Sequence, residues 1–81
     1  MNSRERLEKD YQGIVEVFNK EYSKKKNVIE SNSAKILQTH ILSIIKRMKK
    51  LEKNRWFKFK TKRNLQIMYI KIEYAEKWEF Y

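Results

Sequence analysis

Ten of the eighteen residues from Lys46 to Arg63, KRMKKLEKNRWFKFKTKR, are Lys or Arg, and only Glu52 is acidic, so this stretch carries nearly all of the chain's net charge of +10. Cations at that density do one kind of chemistry well: they neutralise phosphates and release the counterions held around them. The candidate contacts are Lys46, Lys49, Lys50, Lys53, Arg55, Lys58, Lys60, Lys62 and Arg63. Trp56 joins them as an aromatic on which a base could stack. Arg55 and Arg63 can take a guanine edge bidentately, and Asn54, Asn64 and Gln66 can meet adenine. The lysines are point charges that fix position and carry little sequence information.

Other chemistries lack their parts. The chain has no cysteine, one glycine, no proline and one histidine. Disulfides, thiolate metal sites and a catalytic cysteine are therefore out, and a Gly-rich phosphate cradle and a structural zinc site have too few residues. A Ser-His-carboxylate arrangement would need His40, which falls on the apolar stripe of a helix and reads as a core-edge histidine. The acidic residues sit at salt-bridge spacing, Glu5 with Lys9 and Glu16 with Lys20, and offer no carboxylate pair for acid-base work. The expectation is no enzyme, no catalytic residue, no metal, no cofactor and no small-molecule substrate.

The elements that must position the cations follow from periodicity. Leu7, Tyr11, Ile14, Val15, Phe18 and Tyr22 recur at three- and four-residue spacing and predict a helix over 4–23, capped by Ser3. Gly13 lies inside that pattern, where it costs about 1 kcal/mol against Ala or permits close packing. Residues 24–33 are a loop, with Val28 and Ile29 tucked against the core. Ile36, Leu37, His40, Ile41, Ile44, Ile45, Met48 and Leu51 predict a second helix over 34–53, capped by Ser33. Its far face carries Lys46, Lys49, Lys50 and Lys53, at the end where the helix dipole favours cations. After Asn54 the pattern alternates, predicting strands over 55–61 and 65–74. A three-residue loop would join them, with Asn64 left-handed, and Phe57 and Phe59 would face inward opposite Tyr69 and Ile67. Trp56 would then share the outer face with Lys58 and Lys60. A short third strand is expected over 77–81.

Eighty-one residues make one small domain. The expected fold is α+β: two amphipathic helices packed on a small antiparallel sheet. A helix followed at once by a basic hairpin resembles the element order of a winged helix over about residues 34 to 74, which implies a helix in the major groove and a wing on the backbone. The function expected from charge is a small basic DNA-binding regulatory or accessory factor, with DNA favoured over RNA. The rival is a phage- or plasmid-type protein-interaction factor that modulates a host protein through Tyr74, Trp78, Phe80 and Tyr81 or a strand edge. The same features would serve a homodimer. An amphipathic membrane-surface helix is a third, weaker option. The Lys-, Asn- and Ile-rich composition suits an AT-rich viral or mobile-element source. The charged N-terminus reads as no signal peptide, and the apolar runs are too short to span a membrane, so a cytoplasmic location is expected.

Overall fold

The computed structural model describes residues 2–50 and 55–79; in this part of the chain, α1 (Ser3–Glu21), α2 (Ser31–Met48) and α3 (Arg55–Tyr74) are helices, and β1 (Val28–Glu30) and β2 (Glu76–Trp78) are short strands.

α1 begins one residue earlier than its spacing implies. Asn2, not Ser3, is the N-cap, and its Oδ1 accepts from the Glu5 N–H at 2.8 Å. Leu7, Ile14 and Phe18 are its buried stripe, and the Phe18 and Tyr22 rings stack at 4.9 Å between centroids. α2 likewise starts before Ser33. Glu30 is its cap, with carboxylate oxygens accepting from the Asn32 and Ser33 N–H groups at 3.0 and 2.9 Å. Ala34, Leu37, Ile41, Ile44 and Met48, alternating three and four residues apart, face the core. The helix ends at Met48, so Lys49 and Lys50 are not part of it as expected, and Leu51, Glu52, Lys53 and Asn54 lie outside the described residues.

The largest correction falls on residues 55–74. The two antiparallel strands expected there are a single helix, so the β-hairpin, its Asn64 turn, the cross-strand pairs of Phe57 and Phe59, and the winged-helix order do not hold. Thr61, Leu65, Met68, Ile72 and Ala75 are buried, at spacings of four and three. That is a helical seam. The alternation seen in "IKIEY" arises because Ile70 and Tyr74 lie on the opposite side of the same helix from Ile72, giving α3 two apolar faces. Phe59, expected inside, is 66% exposed. The side chains of Phe57 and Trp56 lie outside the described residues.

The left-handed asparagine exists elsewhere. Asn27 has φ 51° in the α1–β1 loop, a conformation asparagine tolerates better than most residues. Its Oδ1 accepts from the Tyr22 hydroxyl, its Nδ2 donates to the Tyr74 carbonyl, and its own carbonyl accepts from the Glu76 N–H at 2.8 Å. It thereby ties the end of α1 to the end of α3. β1 and β2 pair in parallel, Val28 with Glu76 and Glu30 with Trp78, which corrects the antiparallel sheet expected. Parallel neighbours need a long crossover, and α2 with α3 supplies it. The C-terminal strand is thus present, slightly before 77–81, with Phe80 and Tyr81 outside the described residues. Ile29 is fully buried, as its place against the core requires.

α1 and α2 run antiparallel: Arg47 donates to Asp10 at 2.7 Å, and Val17 lines a groove with Ile36 and Leu37. α1 and α3 run parallel, with Asn64 donating to the Tyr11 hydroxyl at 3.0 Å and Phe18 level with Met68 and Lys71. One core joins all three helices and β1.

Candidate nucleic-acid interface

That antiparallel arrangement sends the end of α2 and the start of α3 to the same end of the bundle, opposite the β1–β2 ribbon. Lys46 lies exposed in the last turn of α2, and Lys49 and Lys50 are exposed just beyond it. Lys60, Lys62 and Arg63 are exposed on α3. Lys53 lies outside the described residues. Arg55, Trp56 and Lys58 fall on the first turn of α3, and their side chains also lie outside the described residues. The structure therefore gathers six of the ten expected site residues at one end as exposed side chains.

It does not arrange them as a strand would. Alternate residues share a strand face, but on a helix Lys60 and Lys62 stand about 200° apart, with Arg63 between them on the outer side. The cations form a collar around the bundle end, not a flat patch. The shared face expected for Trp56, Lys58 and Lys60 does not survive this change of backbone.

One cation of the basic run outside the expected contacts, and one expected base reader, are engaged elsewhere. Arg47 is bound to Asp10, a half-exposed pair worth at most about 1 kcal/mol. Asn64, a proposed adenine reader, donates to Tyr11 across the α1–α3 groove. Gln66 remains exposed.

The helix ends differ electrostatically. Cations at the C-terminal end of α2 meet the negative pole of that helix, an arrangement that stabilises the fold with no ligand. The start of α3 is the reverse. Arg55 and Lys58 stand at its positive pole, and its first turn contains no acidic residue. Indeed no acidic residue occurs between Glu52 and Glu73. Sequence reasoning missed this because it took the segment for strands, and it missed Lys71, exposed beside the α1–α3 groove, for the same reason. The absence of acids over twenty residues was the available signal.

His40 is exposed, not at the core edge, and lines a groove of about 450 Å³ between α1 and α2 with Gly13, Val17, Ile36 and Ser43. Asp10 lines the same groove, but its carboxylate takes the Arg47 guanidinium. Among the described residues, no group of three or more His, Cys, Asp or Glu side chains could hold a metal ion, and no helix is long and apolar enough to cross a membrane. Compared with protein-family models, curated proteins and solved structures, the chain matches none.

Proposed function

We propose that the chain is a nucleic-acid-binding protein, a DNA-binding regulatory or accessory factor that grips phosphates with the collar formed by the end of α2 and the first half of α3. What supports this is that Arg55 and Lys58 fall in the first turn of α3, at its positive pole, and that this turn contains no acidic residue. Surface lysines placed only for solubility have no reason to gather there, since each opposes the helix dipole. A phosphate at that end reverses the sign: it meets the N-terminal pole and the collar together. Lys46, Lys49, Lys50, Lys60, Lys62 and Arg63 supply the described contacts, with Lys53, Arg55 and Lys58 in the same stretch of sequence. The splayed arrangement suits backbone contact around a duplex more than reading of base edges, so affinity exceeds specificity.

The test is titration of labelled duplex DNA, and of duplex RNA of the same sequence, at low and moderate salt. Tight binding at low salt that weakens as salt rises, with DNA preferred, is the expected result. Charge reversal of Lys58, Lys60, Lys62 and Arg63 to Glu should abolish it while the helical circular dichroism persists. No binding even at low salt, or binding untouched by the reversal, overturns the proposal.

A further inference from the structure

α3 is apolar on two sides, and only one of them faces the core. On the other side Phe59, Ile67, Ile70 and Tyr74 are 66, 41, 54 and 77% exposed. Ile67, Ile70 and Tyr74 follow one another at three and four residues, and Arg63 extends the line by one more turn. That is the spacing of a seam between helices. The stripe is continuous with a groove of about 220 Å³ between α1 and α3, to which Tyr11, Val15, Phe18 and Ile67 contribute. A line of large apolar side chains this exposed marks an interaction surface.

From this we infer that the outer face of α3 docks an acidic amphipathic helix of a protein partner, its apolar positions set against Ile67, Ile70 and Tyr74 and its Asp or Glu residues against the cations alongside. The charge of the rim selects that occupant. Lys60, Arg63 and Lys71 border the stripe, and Lys24 lines the adjoining groove. The one acidic residue on the helix, Glu73, accepts a hydrogen bond from Gln38 of α2 at 2.9 Å and is thereby directed to the α2 side. A second copy of this chain would bring an equally positive face against it, which like-charge repulsion opposes. Nucleic acid would satisfy the cations but leave Ile67 and Ile70 without an apolar partner. A helix with apolar residues three and four apart, edged by carboxylates, answers both features. This surface shares Lys60 and Arg63 with the phosphate collar, but its apolar stripe is tested by variants that alter no charge.

The experiment uses the full chain and a labelled synthetic peptide of about three heptads, Leu at the a and d positions and Glu elsewhere, beside a scrambled peptide of the same composition. Fluorescence anisotropy should show the patterned peptide binding at least about tenfold more tightly than the scrambled one. The double variant Ile70→Gln, Tyr74→Gln, which alters no charge, should remove that advantage. Val17→Gln, an exposed apolar position on α1, should leave it intact. Equal binding of the two peptides overturns the inference, because charge alone would then explain it. So does a double variant that binds like the parent. If sedimentation instead shows a dimer that the double variant dissolves, the occupant is a second copy and the inference is wrong. If the double variant loses single-stranded DNA binding while the patterned peptide never binds, the stripe is a stacking platform and the inference is equally wrong.

Discussion

At Glu30 a single carboxylate closes the start of α2, and its bonds from the Asn32 and Ser33 N–H groups hold its pKa below the ordinary 4.5. A group lowered on folding stabilises the fold above its unfolded pKa, and that contribution is lost as pH falls through the folded value. Stability should therefore decline as pH drops below about 4.5, and Glu30→Gln should flatten that decline, because an amide caps without titrating. Urea titrations of both proteins between about pH 5 and pH 3 check this; equal slopes against pH would count against the cap. Gly13 gives a second residue-scale test. A Cβ built there meets nothing within 4 Å, so close packing does not require the glycine. Gly13→Ala should raise stability by about 1 kcal/mol, read as a higher urea midpoint at constant m-value. A lower midpoint would mean that the groove beside Gly13 is not open.

At the scale of elements, α3 is the claim most exposed to test. Ile72 is fully buried and Ile70 more than half exposed, although on a strand they would share a face. Ile72→Ala should cost about 2–5 kcal/mol, and Ile70→Ala well under about 1 kcal/mol, by urea denaturation. Similar losses at both positions would return the segment to strands. The comparison also shows what was legible. α1 and α2 could be read because each has one apolar face and one polar one, so the period of 3.6 stands out. α3 could not, because its outer stripe of Phe59, Ile67, Ile70 and Tyr74 overlays the inner seam of Leu65, Met68 and Ile72, and two opposed helical stripes interleave into alternation. The caps were misplaced by one to three residues because Asn2 and Glu30 compete with Ser3 and Ser33, and only backbone geometry separates them. The cations of the candidate site were legible by type. Their collar arrangement was not, since it depends on the backbone of α3.

Over the whole molecule, apolar and charged features sort into two regions. The β1–β2 ribbon and Asn27 tie one end together, and the cations of α2 and α3 crowd the other, while the outer stripe of α3 runs between them. The central claim is that the crowded end meets phosphates, and the salt dependence of duplex binding tests it most directly. With six phosphates contacted, the logarithm of the binding constant should fall against the logarithm of salt with a slope of roughly −5. Changing Lys60, Lys62 and Arg63 to Gln should reduce its magnitude by about 3 units, one for each lost contact. A slope near zero for the parent protein, or the same slope in the triple variant, would contradict the account.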